Sequence, residues 1–175
     1  MIMFANASRG LRINGTNFRY FTEGAYGAIF VDDKLRRIRK LYFHRGEDDI
    51  AHRRDVFAAE IGAYAVASKH PELSALTPSY FGVCGTQEIV DCANSDVTNE
   101  FCDGLAFEAE FVPCEFFKIG DARIPAAEYQ RVTTLFRSFG IAHVTDMSVC
   151  LRHEKIHKVI DFATQEYEPE HKPIF

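Results

Sequence analysis

Short alternating runs of apolar and polar residues make up much of the chain, and two longer stretches interrupt them with helical spacing. Phe18–Gly24 (FRYFTEG) and Ala28–Asp33 (AIFVDD) are aromatic and β-branched and are joined through glycines, which predicts a β-hairpin. Arg37–Phe43 (RIRKLYF) predicts a third strand, with Ile38, Lys40 and Tyr42 on one face and Arg39, Leu41 and Phe43 on the other. The period then changes in GEDDIAHRRDVFAAEIGAYAVASKHP. Val56, Phe57, Glu60, Ile61 and Tyr64 recur at three- and four-residue spacing, the mark of one helix face. Acidic residues at the start, Lys69 and His70 at the end and Pro71 as a stop suit the helix macrodipole. Glu60 falls inside this apolar stripe, where an ionised carboxylate needs a partner. Lys40 is the natural candidate if the helix packs on the sheet.

Ser79–Cys84 and Leu105–Pro113 predict two more strands, with the polar segment Asp91–Gly104 between them as a loop. PAAEYQRVTTLFRSFG predicts a second helix, turning Val132, Leu135, Phe136 and Phe139 inward and ending at Gly140. SVCLRH and KIHKVIDF read as two short strands around a polar turn. Five strands with one helix, then a helix and a hairpin, make an α+β pattern. A chain of 175 residues suits one domain, or two small lobes sharing a cleft.

Composition narrows the function classes. With 47% hydrophobic and 26% charged residues, the chain is expected to fold and stay soluble. A formal net charge of -5 argues against a general nucleic-acid binder, and the basic run KLRRIRK (Lys34–Lys40) reads as readily as a solvated strand face. Five cysteines without a C-x-x-C argue against a disulfide framework or a structural zinc site, so a reducing compartment fits. Cys150 reads as a small buried apolar residue, and His153 and His157, in a hairpin, are not spaced as strand ligands. MIMFANASRG does not read as a secretory signal peptide, which leaves open secretion without a cleaved signal. No apolar run approaches the roughly 20 residues that span a bilayer. The acidic tail EYEPEH reads as a solvated terminus.

Two aspartates set among apolar residues, Asp146 in HVTDMSVC and Asp161 in VIDFAT, are the remaining candidates for chemistry. Upstream, Gly24 and Gly27 in TEGAYGAIF either make a plain hairpin turn or let the backbone approach a phosphate that Tyr26 covers. Together these elements resemble the protein kinases. TEGAYGAIF resembles their glycine-rich loop, with Thr22 in place of its first glycine, and Ile38-Arg39-Lys40 resembles the end of V-A-I-K. Glu60 falls at the helix-C glutamate, and LAFEAEFVP resembles the fifth strand entering the hinge near Glu110 and Val112. FGIAHVTDMSVCL resembles the catalytic loop, and VIDFA the strand ending in D-F-G. The similarity runs from about Phe18 to Ala163 and keeps the family's order.

The departures are equally specific. His143 and Asp146 are separated by two residues where H-R-D has one, Leu151 stands at the expected asparagine, and Ala163 replaces the glycine of D-F-G. Only about a dozen residues follow, too few for an activation segment or an ordinary large lobe. This abbreviated ending is similar to the minimal kinases that bacteria inject into host cells, the HopBF-type effectors, which share the H-x-x-D variant.

The resemblance implies a minimal bilobal α+β fold. A five-stranded antiparallel N-lobe with helix C and the hinge would occupy about 18–112, and a strongly reduced C-lobe 113–175, within a single domain of 1–175. It implies ATP and Mg²⁺ as cofactors and a protein substrate, such as a host protein, carrying a Ser, Thr or Tyr hydroxyl. Gly24, Tyr26, Gly27, Lys40, Glu110 and Val112 would bind the nucleotide, with Lys40 held by Glu60. Asp161 would bind the metal, and Asp146 would orient the acceptor hydroxyl and take its proton. His143 is expected to pack the loop. The missing asparagine leaves a pseudokinase, a nucleotide- or protein-binding module, as the alternative. A small-molecule phosphotransferase of the same fold ranks behind both.

Overall fold

The computed structural model describes residues 9–85 and 87–166, Asp48 by its backbone alone. Most of MIMFANASRG and the acidic tail beyond Glu166 lie outside these residues. The chain divides into two compact units. The first holds the described residues up to Ile61 together with Ser79–Pro113; the second holds Gly62–Pro78 and the chain from Cys114 onward. The architecture is mixed α+β, with antiparallel sheets and few helices.

In the first unit the strands are β1 (Arg12–Ile13), β2 (Arg19–Glu23), β3 (Gly27–Asp32), β4 (Arg37–Phe43), β5 (Tyr80–Cys84), β6 (Ile89–Val90) and β7 (Phe101–Glu110). They form one seven-stranded sheet in the order β5-β7-β4-β3-β2-β1-β6. The sequence predicts five of these. β1 and β6 are two residues each, too short to carry a period; they exist because β1 pairs with β2 on one side and with β6 on the other. The loop expected over Asp91–Gly104 is also shorter than predicted. Phe101 opens β7 opposite Phe43 and packs its ring 5.6 Å from Phe43 and 6.0 Å from Phe30.

The two faces of β4 have different fates. Leu41 and Phe43 face a core with Leu11, Ile13, Phe18 and Phe30. The Lys40 and Tyr42 face receives helix α1 (Ile50–Ala67), with Tyr42 edge-on to Phe57 at 5.4 Å. The β3–β4 turn closes through Asp32, whose carboxylate accepts the N–H groups of Lys34 (2.9 Å) and Leu35 (3.1 Å). The basic run is therefore not simply a solvated face. Lys34–Arg36 make the turn, while Arg37 and Arg39 both pair with the buried Glu108 of β7.

The predicted first helix ends earlier than Pro71. α1 stops at Ala67, and Pro71 begins a separate short helix, α2 (Pro71–Ser74). Proline's fixed φ and missing N–H suit a first helical position. In the second unit α2 and α3 (Ala126–Ser138) accompany a three-stranded sheet in the order β10-β9-β8. Its strands are β8 (Phe117–Lys118), β9 (Ser148–Arg152) and β10 (Lys155–Ile160). Val132 and Phe136 of α3 are fully buried, and Phe162 packs on Phe136 at 5.3 Å and on Tyr64 at 4.8 Å. Glu128 joins α3 to β10: it accepts the Ile156 N–H at 2.9 Å and pairs with Arg131 at 2.7 Å. The hydrogen bond from Arg131 holds this carboxyl below the usual carboxylate range.

The cysteines correct a second expectation. Cys114 and Cys150 form a disulfide, their Cα atoms 6.4 Å apart, so Cys150 is buried but not a free apolar residue. The β8–β9 pairing explains it, because it brings the segment before β8 alongside β9. Cys84, Cys92 and Cys102 are thiols, and burial pushes the Cys84 and Cys102 thiols up. Among the described residues no helix is long and apolar enough to cross a membrane.

Candidate functional site

In the first unit the strand and helix periods bring Lys40 to Glu60. Lys40 sits on the α1-facing side of β4, and Glu60 lies on the buried stripe of α1. The Lys40 ammonium donates to both carboxylate oxygens of Glu60, at 2.8 and 2.6 Å. The Tyr42 hydroxyl, two residues along the same strand face, donates to Glu60 as well. Glu60 is 3% exposed. Three donated hydrogen bonds compensate a carboxylate that burial alone would penalise heavily. Lys40 remains partly open to solvent, so its ammonium is held in place without being sealed off.

The glycine-containing turn lies on the same strands. Gly24 N–H donates to Gly27 carbonyl at 2.9 Å, closing the β2–β3 hairpin. Gly27 has a packing reason to be glycine. A Cβ there would lie 2.3 Å from the Leu41 carbonyl oxygen of β4, which no side chain tolerates. Gly24 has open space around its missing Cβ. Tyr26 is half-buried; its carbonyl accepts the Phe43 N–H, and its ring lies against Arg53 and His52 of α1. Arg53 is fully buried, pairs with Asp49 and donates to the Ala25 carbonyl at 3.2 Å. The turn is therefore tied to α1 by a residue that the sequence did not single out. Its only signal was a charged residue three positions before Val56, on the apolar stripe.

Glu110 ends β7, with its carboxylate accepting the Ser79 N–H (3.1 Å) and hydroxyl (3.2 Å). Val112 follows just beyond the strand, half-buried.

In the second unit the two aspartates flank the open end of the β9–β10 hairpin, opposite its His153–Glu154 turn. His143 and Ala163 form a bridge, and Ser148 pairs with Ile160, the residue before Asp161. Asp161 has φ +61°, a left-handed backbone that few residues other than glycine adopt and that aspartate tolerates. Its carboxylate accepts a hydrogen bond from the Ser148 hydroxyl at 2.7 Å. Asp146 is exposed and meets Lys118 of β8, whose ammonium lies 3.1 Å from the Asp146 carboxylate and donates to the Asp146 carbonyl oxygen at 2.8 Å. His143 is buried, with its ring nitrogen 2.8 Å from Glu166. Leu151, at the position expected for asparagine, is half-buried on β9 opposite Ile156 and has no oxygen ligand to offer.

Ser148 and Lys118 are the further polar residues that the sequence reading missed here. Ser148 had a weak signal, two residues after Asp146 at the start of an alternating run. Lys118 had none, because β8 is only two residues long.

Mg²⁺ commonly takes one or two protein carboxylates, with waters and substrate phosphates completing its shell. Asp161, an oxygen donor oriented by a hydroxyl, suits that mode. Among the described residues no group of three or more His, Cys, Asp or Glu side chains is arranged to hold a metal by itself. Compared with family models, curated proteins and solved structures, the chain matches none.

Proposed function

We propose that this chain is a minimal protein kinase that transfers the γ-phosphate of ATP to a serine or threonine hydroxyl of a protein, tyrosine being the alternative acceptor. The observation that carries the reading is the Lys40–Glu60 pair, in which a buried helix carboxylate grips a strand lysine through both oxygens. A lysine held in this way is a fixed cation for phosphate oxygens, and phosphoryl transfer depends chiefly on positioning and charge neutralisation. Glu60 orients Lys40 against the α- and β-phosphates. The Gly24–Gly27 turn, with Tyr26, lines the phosphates, and Glu110 and Val112 contribute to nucleotide binding. Asp161, steadied by Ser148, would hold Mg²⁺, which would supply neutralisation of the phosphate charge. Asp146 orients the acceptor hydroxyl and takes its proton. An effector of bacterial origin acting on a host protein fits the similarity to the HopBF-type kinases.

The test is label transfer. Purified chain, γ-labelled ATP and Mg²⁺ are incubated with host-cell lysate, beside an Asp161→Ala variant checked for folding. Phosphoprotein from wild type alone supports the reading; equal label from both overturns it.

A second reading, a pseudokinase that binds nucleotide or protein without turnover, draws on Leu151, which lacks the amide oxygen of the family's asparagine, and on Ala163 in place of the family's glycine. Its protein-binding form predicts little or no Mg²⁺-dependent thermal stabilisation by ATP. A rise of several degrees with ATP and Mg²⁺ counts against it, since a ligand bound to the native state raises stability.

A further inference from the structure

We propose that the first unit carries a second binding site, a pocket for a small neutral aromatic ring. It is opened by an irregularity in β7, on the face of the sheet opposite Lys40, and it does not depend on the kinase reading. Its origin is a break in register. Leu41 of β4 pairs with Ala106 of β7, and Phe43 pairs with Phe101. Between those pairings β4 has only Tyr42, whereas β7 has Cys102, Asp103, Gly104 and Leu105. The extra residues bend β7 away from β4, as a bulge does. Gly104 lies in this excursion with φ +70°. Apart from its chain neighbours, no heavy atom lies within 4 Å of where its Cβ would stand. A glycine of this kind inside a strand commonly marks a place where a ligand approaches the backbone.

The space so opened has a volume of about 190 Å³. Leu41, Ile89, Phe101 and Ala106 form its floor, all of them buried members of one core cluster. Asp103 and Gly104 lie at its exposed rim. Polar side chains of the wall are committed elsewhere. The Thr98 hydroxyl donates to Asp96 at 2.6 Å and accepts the Ile89 N–H at 2.9 Å. The Gln87 amide donates to the Gly85 carbonyl at 2.7 Å and accepts from Arg39 at 2.5 Å. The Cys102 thiol donates to the Phe43 carbonyl at 3.2 Å. Water inside would find few partners, whereas a stably held water needs about two to four. An apolar cavity of about 150 Å³ lined by Leu, Ile and Phe accepts a benzene ring. This pocket therefore has room for one ring with a small substituent. Asp103 at the rim opposes an anion. Size, apolar floor and rim charge together specify a neutral single-ring arene.

The experiment titrates toluene into wild type and Ala106→Leu carrying ¹³C-labelled leucine and isoleucine methyl groups, and follows Leu41 and Ile89. In parallel, peptide mass spectrometry times the alkylation of Cys102 by N-ethylmaleimide, with the exposed Cys92 as control. The inference expects saturable shifts at both methyl positions in wild type. Alkylation of Cys102 should slow about twofold at the fitted Kd for toluene, by mass action, with Cys92 unchanged. Ala106→Leu, whose larger side chain fills the floor, should lose the shifts while keeping a Tm near that of wild type. Benzoate, an anionic ring of similar size, should produce neither effect. Absence of a saturable shift at Leu41 and Ile89 up to the aqueous solubility of toluene overturns the inference. So does a shift without protection of Cys102, which puts the ring elsewhere, or a folded Ala106→Leu that responds like wild type. Benzoate binding as tightly as toluene overturns the ligand class. Where Ala106→Leu does not fold, the protection of Cys102 in wild type decides alone.

Discussion

Each unit contains a lysine–carboxylate pair, and the two differ chiefly in how much water reaches them. In the first unit the side chains of Lys40 and Glu60 are 14% and 5% exposed, and Tyr42 supplies a further donor. In the second, Lys118 and Asp146 lie in the open. A buried charge must be paired, because desolvation is costly and removal of its partner leaves it stranded. An exposed pair is screened and contributes little to stability. Lys40 is thus fixed by the fold, whereas Lys118 is free to change partners. On the kinase reading, a fixed cation suits the phosphates that stay on the nucleotide.

The largest effect expected from this contrast is on stability in the first unit. Lys40→Met leaves Glu60 buried with one charge-bearing partner gone and should cost about 3–5 kcal/mol in urea unfolding. The double variant Lys40→Met/Glu60→Leu should recover much of that, since a buried pair replaced by apolar groups is often neutral. A single variant as stable as wild type would break the contrast at its buried end. Next comes the Cys114–Cys150 disulfide, which ties the approach to β8 onto β9 across a separation of 36 residues. Cys114→Ser should cost roughly 2–4 kcal/mol, chiefly by freeing the unfolded chain, and wild type treated with a phosphine reductant should unfold at the same urea concentration as the variant.

Glu128–Arg131 provides an intermediate case, with the carboxylate side chain 14% exposed and the guanidinium in the open. Its folded-state pKa is depressed, so its contribution is complete above the ordinary glutamate value near 4.5 and is lost as pH falls through the folded value. Glu128→Gln should cost about 1 kcal/mol at pH 7, and the Tm gap to wild type should close in acid. A gap that does not narrow at all as the pH falls below 4.5 would show that the carboxylate's charge is not what joins α3 to β10. The smallest effect belongs to Lys118→Ala, at most about 0.5 kcal/mol, read in the same urea titration. A loss near that of Lys40→Met would erase the distinction between the pairs.

The strands and helices that carry a clear period were legible in the sequence. β4 has the predicted ends and faces, and Glu60 meets Lys40 because a strand of period 2 and a helix of period 3.6 each placed one polar residue on an apolar face. What escaped was set by pairing between distant segments. β1, β6 and β8 have two residues each and exist only through their neighbours in the sheets. Lys118 and the Cys114–Cys150 bond became visible only once β8 was laid beside β9. The division into units also follows contacts rather than chain order, since Gly62–Pro78 belongs with the chain after Cys114. Arg53 was hidden for a different reason. It looks like a solvated helix arginine in HRRD, yet it is fully buried against Asp49 and the Ala25 carbonyl.

The central claim is that Lys40 and Asp161 both act on ATP, one on its phosphates and the other through Mg²⁺. Calorimetric titration of ATP into wild type, Lys40→Met and Asp161→Asn, each with and without Mg²⁺, tests it most directly. The account predicts that wild type binds ATP more tightly with Mg²⁺, that Lys40→Met weakens binding under both conditions, and that Asp161→Asn removes only the gain due to Mg²⁺. Wild type that does not bind ATP, or binding unchanged in both variants, would contradict it.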